Sequence, residues 1–510
     1  MHPLSLLPRR AALGLVGSVL FALGALNCDL QAAEKIKAAH VFQTTNIWTV
    51  HLKLTSEQWE AMEPKQGERP AGPSGGGFSL QGPEGGRNGL MSAFGVTFNY
   101  VHADLELGTN VFKDVGVRYK GNGTFMSSAR DLKRSLKIDL NQFVKDQKFA
   151  GMSQLNLHNS VRDPAGMNET IAYRIFREGG VPAPRTAYAK VFVTVPGKHD
   201  RKYFGLYDFV EDVGKDLLED QVGDKKGALL KPVTPSLFSD LGDDWKSYNQ
   251  TYDPKGTLTD EQKKRVIDFS KIVAHASDEE FLKKLPEFID LENFARYMAL
   301  TVWLVDLDGI LGVGQNYYVY LHPQTRKFMF IPWDQDQTWG QFARGTNPEQ
   351  RETLSIQKPW QGQNRFLERV FKSDDFKTLY LARLKEFDAT ILKPEPIRAE
   401  VDQLAKVLRP AIEEESPARL KDFDKAVAGE SINISTGPGG FGGSPVKPIK
   451  AYVGPRGQSV RDQLAGKSEG YVQPSGFGFG GPPPQGGPGG PPRGGPGGPP
   501  PGGPGPVRPN

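Results

Sequence analysis

Two runs rich in aromatic and β-branched residues, NYYVYL (316–321) and KFMFIP (327–332), flank His322-Pro323-Gln324-Thr325-Arg326 and read as the strands of one hairpin. The segment after the second strand narrows the chain's chemistry as well as its fold. FIPWDQDQTWG sets Asp334 and Asp336 one residue apart, between Trp333 and Trp339. Side chains two apart on a strand share a face, so both carboxylates are expected at one spot. Like charges that close raise each other's pKa unless a cation lies between them. The stretch therefore calls for a metal, a shared proton or an exposed turn. A hairpin also brings its two ends together, which puts Asn316 beside Asp334, with Asp306 and Asp308 just upstream.

The rest of the chain sets limits. Its 510 residues suffice for one large core or two. A net charge of +4, with basic and acidic residues interspersed, argues against nucleic acid as the main partner. Residues 1–33 read as an export signal: Arg9 and Arg10, an apolar segment from Ala11 to Leu26, and small residues at Ala32 and Ala33. The twin arginines fit a twin-arginine route as well as an ordinary one, while Asn27 is a poor residue to precede a lipidated Cys28. The apolar segment is short for a membrane span, so no span is expected in the mature chain. Cys28 is the sole cysteine, so the exported protein is expected to rely on its core without disulfides.

Along the chain, residues 34–116 read as a β-rich region interrupted by a Gly- and Pro-rich insertion at 64–90. SLKIDL alternates with Leu136, Ile138 and Leu140 on one side, and AYAKVFVTV alternates from Ala187 to Val195. A helix is expected over Asp163–Glu178, opened by Asp163-Pro164 and closed by Gly179-Gly180. A helical stretch from about Thr259 to Leu304 and more helices over 362–428 complete an α+β chain. From about Gly437 to the end the sequence is Gly- and Pro-rich without a Gly-X-Y period, and 437–510 is expected to be disordered.

An aspartate, an asparagine eight residues on, and an aspartate after a short β-ribbon suit phosphoryl transfer. One acid orients a hydroxyl, and the amide and second acid hold magnesium. DLDG fails as an EF-hand, since Gly309 comes too early and Tyr317 stands where the terminal glutamate belongs. GILGVG is neither a dinucleotide nor a P-loop motif. Asp336 either touches metal or caps a turn. Upstream, VRYKGNGTF offers Gly121 and Gly123, whose amides could approach phosphate, or which simply make a turn. Lys137, or else Lys133, is the strand lysine that would face phosphates, and Glu169 on the next helix could pair with it. The order of glycine turn, strand lysine, helix glutamate, Asp, Asn and Asp matches a protein-kinase layout.

RYKGNGTF…KRSLKIDL, FAGMSQLNLHNS, the helix ending REGGVPAPR, YFGLYDFVED and DLDGILGVGQNYYVY…FIPWDQDQTWG together resemble the CotH family, spore-coat-H-like proteins regarded as atypical protein kinases. The likeness runs from about residue 40 to about 385 and is densest in 117–215 and 295–340. It implies a two-lobed kinase-like fold, with a kinase core at 117–430, that binds ATP with Mg2+ and phosphorylates a protein substrate. It places Asp308 as the catalytic aspartate, with Asp306 beside it as the alternative, and Asp334 with Asn316 at the metal. Lys137 and Glu169 then form the nucleotide-binding pair, and Glu211 sits near the nucleotide or the linker between lobes. Literal DFG and HRD motifs are absent, and neither the 64–90 insertion nor the tail belongs to the pattern. ATP is scarce outside the cytosol, so the alternative is an inactive kinase-fold coat or adhesive protein. A carboxylate-pair glycosidase fits less well, because Asp334 and Asp336 lie too close together.

Overall fold

Period-two alternation builds the first part of the chain into a closed barrel. The computed structural model describes residues 37–64, 80–82, 88–128, 131–343, 345–433 and 445–474. The signal-like residues 1–33, most of the 64–90 insertion and the tail from 475 lie outside the described residues. The barrel strands are β1 (Ile47–Lys53), β2 (Val101–Leu107), β3 (Asn110–Tyr119), β4 (Leu136–Asp139), β5 (Gln154–His158), β6 (Thr186–Val195) and β7 (His199–Val210). Their spatial order is β1-β2-β3-β4-β5-β7-β6, antiparallel throughout except where β1 meets β6 and closes the cylinder. The alternating residues fill the interior: Leu136, Ile138 and Leu140 meet Ala187, Ala189, Val191, Val193 and Val195 in one buried cluster.

Downstream, three short strands, β8 (Ala228–Leu230), β9 (Tyr317–Leu321) and β10 (Phe328–Pro332), form a sheet of order β10-β9-β8 amid helices. β9 and β10 are the expected hairpin, with Tyr317 opposite Pro332 and His322 N bonded to Lys327 O at 3.0 Å across its turn. A second buried cluster, including Phe269, Phe294, Phe330 and Phe366, holds these elements together. The chain is thus α+β, with a β-rich part and a helical part.

Two boundaries differ from expectation for local reasons. The helix expected from Asp163 begins at Asn168, because the Asp163 carboxylate accepts from the Ala165, Met167 and Asn168 amides at 3.0, 2.6 and 2.7 Å and holds a turn ahead of it. The stretch 259–304 divides into Asp260–His275, Asp278–Phe288 and Leu291–Leu304, each opened by an N-cap side chain, Thr259, Ser277 and Asp290 in turn.

The larger correction concerns the C-terminal segment expected to be disordered from 437. Ile449–Leu464 is a helix with Ile449, Tyr452, Val453 and Val460 buried. Gly454, Pro455 and Gly457 mask its periodicity in the sequence. Its Arg456 guanidinium is fully buried and donates to four carbonyls, Val302 O at 2.8, Trp303 O at 3.2, Glu352 O at 3.0 and Leu354 O at 2.8 Å. Tyr452 Oη adds a bond to Trp303 O at 2.9 Å. Two of these carbonyls belong to the last turn of Leu291–Leu304, where carbonyls lack intrahelical donors and the dipole favours a cation. The late helix therefore caps the helix that delivers Asp306 and Asp308. Arg456→Met strips four charged donor contacts from these carbonyls, although Tyr452 Oη, Gln463 Nε2 and Val305 N still reach Trp303 O, Leu354 O and Val302 O, and should cost about 1–3 kcal/mol in urea unfolding. A loss under about 1 kcal/mol would mean the cap contributes little.

Candidate functional site

Helix Leu291–Leu304 ends with Val305 in the left-handed region (φ 53°), which throws the chain into the Asp306–Gly309 loop. The two aspartates of that loop separate here. Asp306 turns inward, its carboxylate accepting from the Asp308 and Gly309 amides and from Gln335 Nε2 at 3.2 Å. Burial, the dominant cause, raises its pKa to about 7. Gly309 has no alternative residue: a Cβ there would stand 2.3 Å from Asp306 Oδ2. Asp308 faces the other way and accepts from Asn316 Nδ2 at 2.9 Å, Gln337 Nε2 at 3.1 Å and Gln315 Nε2 at 3.3 Å.

The hairpin supplies the second acid. Trp333 N bonds Asn316 O at 3.1 Å, so Asn316 and Asp334 meet at the end of the ladder, as a hairpin requires. Both residues are left-handed, with φ of 61° and 56°, a region Asn and Asp tolerate better than most residues. This kink overturns the expectation that Asp334 and Asp336 share a strand face. The strand stops at Pro332, and Gln335–Gln337 is a 3₁₀ turn that buries Asp336 away from the cleft. Burial, then the charges of Asp334, Glu169 and Asp308, raise the pKa of the Asp336 carboxyl well above its ordinary value. Asp334, by contrast, lines the cleft.

That cleft encloses about 930 Å³. Its lining includes Asn316 and Asp334, eight lysine or arginine side chains and three aspartates, a marked cationic excess. Lys120, directly after β3, lines it half-buried. Its Nζ lies 3.2 Å from Asn156 Oδ1, 2.5 Å from His158 Nε2 and 5.0 Å from the centroid of the Trp333 ring. Burial pushes the Lys120 ammonium down to about 7, opposed chiefly by the negative charge of Asp334. Lys231 lies 5.3 Å from the same ring. Gly121 lines the cleft with φ of 100°, which favours glycine, whereas Gly123 opens a five-residue helix and does not line it.

The lysine–glutamate pair is not the expected one. Lys137 does line the cleft from β4, but its Nζ bonds Asp212 Oδ1 at 3.1 Å. Asn156 lies opposite Lys137 in the β4–β5 register and joins this group, its Nδ2 donating to Asp212 at 3.0 Å. Glu169 is fully buried and bonds His158 Nδ1 at 2.7 Å, while Tyr173 Oη, one helical turn on, donates to it at 2.8 Å. Burial raises the Glu169 pKa, but the His158 and Tyr173 contacts outweigh it and hold the group low. Lys133 is engaged by both Glu415 oxygens at 2.9 Å. Glu211 does not line the cleft. Arg185 holds it through Nε at 2.9 Å and through Nη2, and its neighbour Asp212 takes the lining position.

His158, Glu169 and Asp334 offer ligand atoms within 4.8 Å of one another. Both ring nitrogens of His158 are already engaged, so the group is a hydrogen-bond chain and not a metal cage. Sequence reasoning passed over Lys120, His158 and Asp212, although Lys120 adjoins the glycine turn and His158 ends the alternating QLNLH. The buried proton of Asp306 makes its assignment testable. The folded protein binds that proton more tightly than the unfolded chain, so its contribution to stability is greatest below the ordinary 3.8 and declines as pH rises to about 7. Asp306→Asn keeps an acceptor for the loop amides, and its urea stability should lack that decline. Parallel pH profiles for both proteins would refute the assignment.

Comparison with known proteins is consistent with this geometry. The family described as CotH kinase protein matches residues 117–433, a span that includes Lys120, His158, Glu169, Asp308, Asn316 and Asp334. The inner spore coat protein H of Bacillus subtilis (strain 168) is 25% identical over 305 residues, covering 59% of this chain and 78% of that protein. With more than half of its length matched, the chain belongs to the CotH kinase protein family.

Proposed function

We propose that the protein is an exported atypical protein kinase, with the barrel and the helical part as its two lobes and ATP bound with magnesium in the cleft between Lys120 and Asp334. The observation that carries this reading is the meeting of Asn316 and Asp334 in the lining of a cleft with a strong cationic excess, with Asp308 bonded to Asn316. Lysines suit the triphosphate, and the carboxylate and amide oxygens are hard donors of the kind magnesium takes. Asp334 and Asn316, both in the cleft lining, would hold the ion. When bound, it neutralises charge on the phosphates.

Asp308 would orient the acceptor hydroxyl, a role that its three side-chain amide partners support by fixing its carboxylate. The hydroxyl oxygen of a protein substrate bonds to the γ-phosphorus, the bond to the bridging oxygen breaks to release ADP, and the proton passes to Asp308. Lys120 and Lys137 would contact phosphate, replacing the single lysine expected at 137. Asp306 supports the loop and Asp336 the turn. The name of the spore coat relative favours an association with a coat or surface, and the signal-like residues 1–33 favour export. Among the described residues no helix is long and apolar enough to cross a membrane.

The same relative also motivates the second reading, a coat protein that retains the fold without catalysis. Incubating the protein with labelled ATP, magnesium and a generic protein substrate separates them. Phosphate incorporation should fall about 10²-fold or more in Asp308→Ala while ATP binding persists. Asp334→Ala should abolish both incorporation and the magnesium dependence of ATP binding. A wild-type protein that binds no ATP at millimolar concentration leaves the scaffold reading standing.

A further inference from the structure

A single histidine stands between Lys120 and the residues that hold the Asp334 turn. With Lys120 as the ammonium, which only donates, His158 Nε2 accepts from it at 2.5 Å, and Nδ1 then carries the proton that it gives to Glu169 Oε2 at 2.7 Å. Beyond the histidine, Glu169 Oε1 accepts from Tyr173 Oη at 2.8 Å and from Gln335 N at 3.3 Å. Tyr173 Oη in turn accepts from Asp334 N at 2.8 Å. The chain of bonds runs without a gap from the lysine to the left-handed turn that presents Asp334. Glu169 and Tyr173 sit on the buried helix Asn168–Glu178, and His158 at the end of β5, so the relay also joins the barrel to the helical part.

We propose that His158 is a positioning residue that couples phosphate binding at Lys120 to metal binding at Asp334. The inference rests on the kinase reading and adds to it the regulation of that site. His158 fixes where the Lys120 ammonium stands, and through Glu169 and Tyr173 the same bonds set the Asp334 turn. A ligand that draws Lys120 into place therefore orders the metal end, and a cation at Asp334 orders the lysine. Such coupling is reciprocal: ATP must raise the affinity for magnesium by the factor by which magnesium raises the affinity for ATP.

Calorimetric titration of the full chain with ATP, in the presence and absence of magnesium chloride, tests this on three proteins. Wild type should show the coupling. His158→Phe keeps a ring of similar size without either bond, and should reduce the coupling factor by about tenfold. His158→Gln can accept from Lys120 through Oε1 and donate to Glu169 through Nε2, and should keep the factor within about threefold of wild type. A purely structural role would instead give equal losses in both variants, or lower stability with coupling unchanged. Either result overturns the proposal. If His158→Phe does not fold, His158→Asn, too short to span both partners, takes its place. A readout that needs no ligand is the imidazole nitrogen chemical shifts of His158, which should report the Nδ1–H tautomer, and an Nε2–H tautomer would overturn the relay. Wild type that binds ATP with no magnesium coupling refutes this inference alone. Wild type that binds no ATP at all refutes the kinase reading beneath it as well.

Discussion

The Tyr173 hydroxyl is the contact on which the site's geometry depends. It donates to Glu169 and accepts from Asp334 N, so one oxygen ties the buried helix to the end of the hairpin. Without that acceptor, the amide of a left-handed aspartate would face a buried environment unpaired, which costs on the order of 1–3 kcal/mol. With it, the strand can break its alternation at Pro332, Asp334 can face the cleft and Asp336 can turn inward. Two acids that would repel each other on one strand face are thereby given different surroundings, one in a cleft lined by lysines and one buried, with its pKa raised by that burial.

The same logic of differing surroundings separates Asp306 from Asp308. Local backbone amides and burial claim Asp306, whereas the side-chain amides of Gln315, Asn316 and Gln337 present Asp308. The loop that carries both begins where helix Leu291–Leu304 ends, and that end is held from outside by Arg456 and Tyr452. A segment more than a hundred residues later in the chain thus supports the loop of the two aspartates. This helix lies beyond the residues matched by the family, so the support belongs to this chain's own C-terminal region.

Much of the framework was legible in sequence because it rests on local periodicity. The barrel strands around Leu136 and Ala187–Val195, the hairpin and its turn, and the meeting of Asn316 with Asp334 all follow from alternation and turn residues. The late helix is not legible there, because Gly454, Pro455 and Gly457 conceal a buried stripe within a Gly- and Pro-rich neighbourhood. The partner of Glu169 is not legible in sequence, because the histidine that stands between it and Lys120 is a neighbour of neither along the chain.

By itself, then, the sequence determined which segments alternate, where hairpin ends must meet, and which acids lie close enough along the chain to act together, since each of these is a property of neighbouring residues. Only the tertiary structure decided which lysine enters the cleft, which of two adjacent acids is exposed to it, and that Arg456 caps a distant helix. Those outcomes depend on burial and on hydrogen-bond partners brought in from other elements, and a carboxylate or ammonium takes its character from that environment and not from its place in the chain.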